Sequence, residues 1–148
     1  MAMAWRAAVI CPVFAITLMD ADSAQLGGIM KTVILIASGS EAVAANEEVK
    51  GVATGLAAHL DGRYDRVACA FMAHGEPGVS AAIDGEIAVG ARELVCFPYF
   101  LMATPAWSTA LPALVEQARR DHPEATITLE RYLGAQRAMP RLLAQLLP

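Results

Sequence analysis

A chain of 148 residues, 56% apolar and 18% charged, has the material for one buried core and points to a single domain. Its net charge is -4, with 2 lysines and 9 arginines scattered along the sequence, which excludes the basic footprint that nucleic acid or an anionic membrane surface requires. Three cysteines, Cys11, Cys69 and Cys96, are an odd number at wide spacing, and two of them sit in apolar runs. They read as buried thiols of a reducing compartment, so the cytoplasm is the expected location, and neither a disulfide framework nor a zinc site is expected.

At the N-terminus Arg6 precedes an apolar run from Ala7 to Met19, followed by Asp20, Ala21, Asp22, Ser23 and Ala24. That order imitates a secretory signal, but the run falls short of the roughly 20 residues needed to cross a bilayer. Acidic residues where a cleavage site calls for small ones, and Pro12 inside the run, count against export. Three readings stay open: a dispensable extension ahead of a domain starting at Met30, a signal or anchor, and a structural element. The division is therefore 1–29 as an extension and 30–148 as one domain.

From Met30 the pattern is regular. Thr32 to Ala37 is a continuous aliphatic run, the signature of a strand buried on both faces of a parallel sheet. After Ser38, Gly39 and Ser40, the spacing of Val49, Val52, Leu56 and Leu60 predicts a helix that stops at Asp61 and Gly62. Arg66 to Met72 predicts the second strand. Val79, Ala82, Ile83 and Ile87 form the stripe of a second helix, opened by Pro77 and ended near Gly90. Glu93 to Tyr99 is the third strand, and Trp107, Leu111, Leu114, Val115 and Ala118 line a third helix whose end carries Arg119 and Arg120, well placed for the helix dipole. Ala125, Ile127 and Leu129 alternate with Thr126, Thr128 and Glu130, as in a half-exposed edge strand. Met139, Leu142, Leu143 and Leu146 mark a last helix, with Pro140 tolerable in its first turn.

Four successive strand-helix units with right-handed crossovers imply a three-layer α/β sandwich around a four-stranded parallel sheet. Ligands in such sheets bind at the carboxyl ends of the strands, where the strand order reverses. That rule selects the loops Ser38 to Glu41, Ala73 to Gly78 and Phe100 to Ala106.

The fragments at those places carry a resemblance. Leu35 to Ser40 with Ala45 and Asn46, then Ala70 to Met72 with Glu76 and Pro77, then Gly90 and Ala91, Pro98 to Leu101 with Pro112, and Leu133 with Gly134 resemble, in order and spacing, the sirohydrochlorin chelatases, the short class II tetrapyrrole chelatases. The resemblance covers nearly all of residues 30 to 148. It implies the chelatase-like fold, a divalent metal (cobalt, nickel or iron) handled as a substrate without an organic cofactor, a tetrapyrrole as the other substrate, and a homodimer in which two short chains close one cleft. It also implies a binding surface made of Ser38, Gly39, Ser40, Tyr99, Leu101, Met102, Ala103, Thr104, Pro105 and Ala106. The family's two metal-binding histidines fall on Ser38 and Ala106, and a third histidine position falls on Gln136, so all three imidazoles are replaced. Imidazole is the usual ligand for these metals, and neither a hydroxyl nor a methyl group equals it.

What the loops retain is His74 and Glu76, two residues apart where the chain leaves the second strand. They are the candidate catalytic and metal-binding pair: an imidazole and a carboxylate can share a metal or accept the pyrrole protons. The plainer alternative is that His74 hydrogen-bonds its loop and Glu76 caps the helix opened by Pro77. His59 and His122 read as surface residues. Ser38 to Ser40 lacks the partners of a nucleophile and the lysine of a phosphate loop. Met72, Met102 and Cys96 read as core filling before soft-metal ligands, and Trp107 and Phe100 either wall a flat macrocycle or join the core. Two functions remain: a chelatase-like enzyme that inserts a divalent metal into sirohydrochlorin or a related tetrapyrrole, and a non-catalytic relative that binds a tetrapyrrole, a metal or a chelatase partner. No nucleic-acid or membrane partner is expected.

Overall fold

A computed structural model describes residues 28–148; the apolar run Ala7 to Met19 lies outside them. Strands β1 (Met30–Ala37), β2 (Arg66–Phe71), β3 (Ala91–Pro98) and β4 (Thr126–Leu129) alternate with helices α1 (Val43–Ala57), α2 (Val79–Ala88), α3 (Pro105–Asp121) and α4 (Met139–Leu146). A short 3-10 turn, Leu133–Ala135, precedes α4. The sheet is wholly parallel in the order β2-β1-β3-β4. The chain therefore moves outward from β1 to β2, then crosses back over β1 to β3, and the order reverses between β1 and β3.

The central position of β1 explains its composition, since Val33 to Ala37 are all buried and every side chain meets a packed face. On one face Ile34, Ile36, Leu94, Cys96 and Ile127 meet the stripes of α2 and α3, Val79, Ala82, Ile83, Ile87, Leu111, Val115 and Ala118. On the other face Val33, Leu35, Val67, Cys69 and Phe71 meet Ala53, Val49 and Leu56 of α1, with Leu60 just beyond it. Asp61 (φ 47°) and Gly62 (φ 72°) turn the chain through the left-handed region after α1, a conformation Gly adopts without strain.

The two faces are covered unequally. Strands spaced at about 4.8 Å make a four-stranded sheet roughly 14 Å wide, which one helix of about 10 Å diameter cannot span. Helices α2 and α3 together seal their face, whereas among the described residues α1 is the one helix over β1 and β2 on the other. On β3, Leu94 and Cys96 are 1% and 0% exposed, while Val95 and Phe97, pointing to the α1 side, are only half-buried. The continuous apolar run in β3 suggests a strand covered on both sides; among the described residues no second helix covers the α1 side of β3, and α4 buries none of its residues. Val52, expected on the buried stripe of α1, is 42% exposed for the same reason, and Ala53 takes the core position.

A buried charge lies under the sheet edge. Glu86, 7% exposed on α2, receives Arg66 Nε at 2.8 Å and Nη2 at 3.2 Å, and the Thr32 hydroxyl at 3.2 Å. The bidentate pair joins β2 to α2, and the Thr32 hydroxyl adds β1.

Candidate functional site

The site is a crown of three loops at the carboxyl ends of β1, β2 and β3. The loops after β1 and β2 run side by side: Met72 N–H donates to Ala37 O at 2.9 Å and Ala73 N–H to Ser38 O at 3.0 Å. Gly39 (φ +84°) lies so close that any Cβ there would overlap the Ala73 carbonyl oxygen. The position therefore needs glycine both for its backbone angle and for space.

Asn46, buried in the first turn of α1, binds the two loops together. Its Oδ1 accepts Ser40 N–H at 2.9 Å, and its Nδ2 donates to Ser40 O at 2.8 Å and to His74 O at 2.7 Å. Both amide hydrogens and the carbonyl oxygen are used. His74 itself takes a left-handed backbone (φ 50°), and the next proline peptide, Glu76-Pro77, is cis. The imidazole stands out of the crown, its side chain 57% exposed, with Nδ1 3.8 Å from Glu41 Oε1.

The carboxylate beside His74 is thus Glu41 on the first loop. Glu76 is exposed and makes no ion pair with His74 among the described residues. Gly78, whose own side is bare, occupies the N-cap of α2, so Glu76 does not cap that helix.

The third loop closes the crown. Tyr99 N–H donates to Ile36 O at 2.7 Å, continuing the β1-β3 ladder past Pro98. Thr104 Oγ1 accepts Trp107 N–H at 3.4 Å as the N-cap of α3, with Pro105 at the helix start, so Thr104 serves the helix end. Leu101 and Met102 are 65% and 81% exposed, Ala103 is half-buried, and Pro105 and Ala106 are exposed. Phe100 stacks on Tyr132 at 5.8 Å and packs against the α2-α3 core. Gln136, at the third histidine position, turns its Nε2 to Arg131 O at 2.6 Å.

The structure therefore gathers Ser38, Gly39, Ser40, Glu41 and His74 on adjoining loops, with the apolar segment Leu101 to Ala106 on the loop after β3. Among the described residues no group of three His, Cys, Asp or Glu side chains is arranged to hold a metal ion. Cys96 offers no thiolate, because burial pushes its pKa up to about 12. Sequence reasoning missed Glu41 as the neighbour of His74, because a contact between loops has no local periodicity. Asn46 carries a signal of its own, an asparagine at the start of an apolar helical stripe followed by the two glutamates Glu47 and Glu48.

The CbiX family model matches residues 32–148. The chain belongs to the CbiX family. Among solved structures, a CbiX protein named for cobalamin (vitamin B12) biosynthesis, from Marinobacter aquaeolei VT8, superposes with a TM-score of 0.66 at 22% identity, over 78% of this chain and 92% of that one. SirB from Bacillus subtilis with Fe3+ gives 0.68 at 15% identity, over 79% of this chain and 46% of that one. The sirohydrochlorin chelatase SirB from Bacillus subtilis subspecies spizizenii, in complex with cobalt, gives 0.68 at 16% identity, over 79% and 49%. The chain thus spans about half the length of the two SirB proteins. No match to a curated protein was found. These likenesses establish the α/β fold expected from the strand-helix repeats, and the family match agrees with the chelatase resemblance. Among the described residues no helix is long and apolar enough to cross a membrane.

Proposed function

We propose that this CbiX-family chain handles a divalent metal (cobalt, nickel or iron) and inserts it into sirohydrochlorin or a related tetrapyrrole, with His74 supplying the imidazole that the family positions Ser38 and Ala106 no longer provide. The observation that carries this reading is the placement of His74 beside Glu41 on a crown braced by Asn46, at the carboxyl end of the sheet and one loop away from Ser38. Insertion exchanges two pyrrole N–H protons for the metal, so the site needs a ligand for the ion and an acceptor for the protons. Neutral imidazole does the first and a carboxylate such as Glu41 the second. The exposed apolar loop Leu101 to Ala106 offers a surface for a flat macrocycle.

The solved SirB proteins are described with Fe3+ and with cobalt, which favours these metals as the first to test. Because this chain spans about half of SirB, two copies supply the second half of a cleft, so the working unit is a homodimer.

A second reading has its own support: among the described residues no three ligands gather, which suits a chain that binds a tetrapyrrole without metallating it. Calorimetric titration with Co2+, beside absorbance titration with sirohydrochlorin, separates the two. Metal insertion by His74 requires His74→Ala to weaken Co2+ binding at least tenfold, or about 1.4 kcal/mol, with tetrapyrrole binding kept. Equal Co2+ binding by both proteins removes His74 from the site, and tetrapyrrole binding with no metal binding in either protein selects the second reading.

A further inference from the structure

Most cations of the described chain are held by a partner. Lys31 meets Glu93, Lys50 meets Glu47, and Arg66 and Arg119 meet Glu86 and Glu116. Arg63, Arg92 and Arg120 donate to Leu60 O, Ala91 O and Gln117 Oε1. Among the described residues the guanidiniums without a hydrogen bond or ion pair are those of Arg131, Arg137 and Arg141, all exposed, in a stretch, 131–148, that holds no Asp or Glu.

The fold brings the first two of them to the crown. Glu130 N–H donates to Cys96 O at 2.9 Å and Gly134 N–H to Phe100 O at 3.2 Å. Tyr132 stacks on Phe100, and Gly134 lies so close to the Leu101 carbonyl that no side chain fits there. Gln136 Nε2 closes the segment on itself by donating to Arg131 O at 2.6 Å. Arg131 and Arg137 therefore flank one turn pinned along the loop after β3, and Arg141 follows farther on in α4. Glu130, the acid next to Arg131, lines the apolar groove beside Val95 and Phe97 and pairs with neither arginine among the described residues.

This placement polarises the crown. The loops after β1 and β2 carry the exposed carboxylates of Glu41 and Glu76. The loop after β3 carries no charge and exposes Leu101 and Met102, and past it stand the two arginines. An apolar strip between an acidic edge and a basic edge suits a flat apolar ring with acids on its rim: the ring covers the strip, and its acids are drawn to the guanidiniums and repelled by the glutamates. Sirohydrochlorin is a ring of that kind, with acetate and propionate side chains around its periphery.

We infer that Arg131 and Arg137 bind carboxylate side chains of the tetrapyrrole and set a preference for heavily carboxylated rings. The inference rests on the tetrapyrrole reading proposed above and names the residues that select among such rings.

Fluorescence titration of the full chain tests it with two probes: uroporphyrin, whose every pyrrole carries an acetate and a propionate, and coproporphyrin, which has methyl groups in place of the acetates. Wild type should bind uroporphyrin the more tightly. Arg131→Gln with Arg137→Gln should weaken uroporphyrin binding about tenfold, or about 1.4 kcal/mol over two exposed ion pairs, and coproporphyrin binding less, so that the preference narrows. Because both side chains are exposed and neither touches His74, the melting temperature and Co2+ binding should stay at wild-type values. Arg131→Lys with Arg137→Lys should keep part of the preference, since the charge remains without the planar fork. Arg120→Gln, the same loss of charge at the far end of α3, should match wild type. Undiminished uroporphyrin binding in the double Gln variant, equal weakening toward both porphyrins, or an equal loss in Arg120→Gln overturns the assignment and leaves the tetrapyrrole reading standing. A wild-type chain that binds neither porphyrin overturns both.

Discussion

Asn46 is the residue on which the crown's shape depends, and its replacement gives the sharpest structural prediction. Asn46→Ala removes three hydrogen bonds of 2.7 to 2.9 Å, leaving Ser40 N–H, Ser40 O and His74 O to find other partners. At about 0.5–1.5 kcal/mol net for each bond, and with the loops near enough to solvent for water to replace part of the loss, the cost is about 2 kcal/mol. In a domain of this size that lowers Tm by roughly 8 °C. Asn46→Asp discriminates further. It keeps the acceptor for Ser40 N–H but replaces the amide donor with a carboxylate oxygen facing two carbonyl oxygens, so above pH 5 it should be at least as damaging as Ala. It should recover partly as the pH falls and the acid can donate again. Urea unfolding at pH 7 and pH 4 measures both. Asn46→Ala within about 0.5 kcal/mol of wild type, or Asn46→Asp more stable than Asn46→Ala at pH 7, would refute the brace.

The remaining predictions concern the frame around the site. Gly39→Ala forces a Cβ onto the Ala73 carbonyl and a left-handed angle on an L residue, so it should destabilise by more than about 1 kcal/mol in thermal melts and weaken Co2+ binding. Glu86→Ala strips Arg66 of its buried carboxylate and should cost about 3 kcal/mol in denaturant unfolding, with Glu86→Gln milder. His122 is held above its ordinary pKa by its bond to Asp84, at 2.8 Å, and secondarily by Glu124. The stability from this contact is fully present below the unfolded value of 6.5 and is lost as the pH rises through the raised folded value. Asp84→Asn should therefore destabilise more at pH 6 than at pH 8.5, and an equal loss at both would refute the assignment. A chain beginning at Met30 should melt cooperatively at the temperature of the full chain, whereas a lower melting temperature would make residues 1–29 part of the fold.

The fold was legible because its signals are local. The unbroken aliphatic run of β1, the stripe Val79, Ala82, Ile83 and Ile87, and the half-polar alternation of β4 each follow from where a strand or helix sits in a layered sheet. The uncovered half of one face was not legible, since Val95 and Phe97 read as core from their own composition and only the position of α4 leaves them open. The loops of the site could be named from topology, because strand order reverses between β1 and β3. The pairing within them could not: Glu41 meets His74 through a backbone turned left-handed at residue 74 and tied back by Asn46, a three-body arrangement without sequence periodicity. Glu86 and Arg66 carried a fainter signal, a charge placed inside an apolar stripe and another opening an apolar strand.

The most direct test of the functional account is the rate of cobalt insertion into sirohydrochlorin, followed by absorbance, for the full chain, for His74→Ala, and for the double variant Ser38→His with Ala106→His. The account predicts measurable insertion by the full chain, at least a tenfold loss in His74→Ala, and recovery or gain when imidazoles are returned to the two family positions. Insertion no faster than the uncatalysed reaction in the full chain, or a rate in His74→Ala equal to wild type, would contradict it.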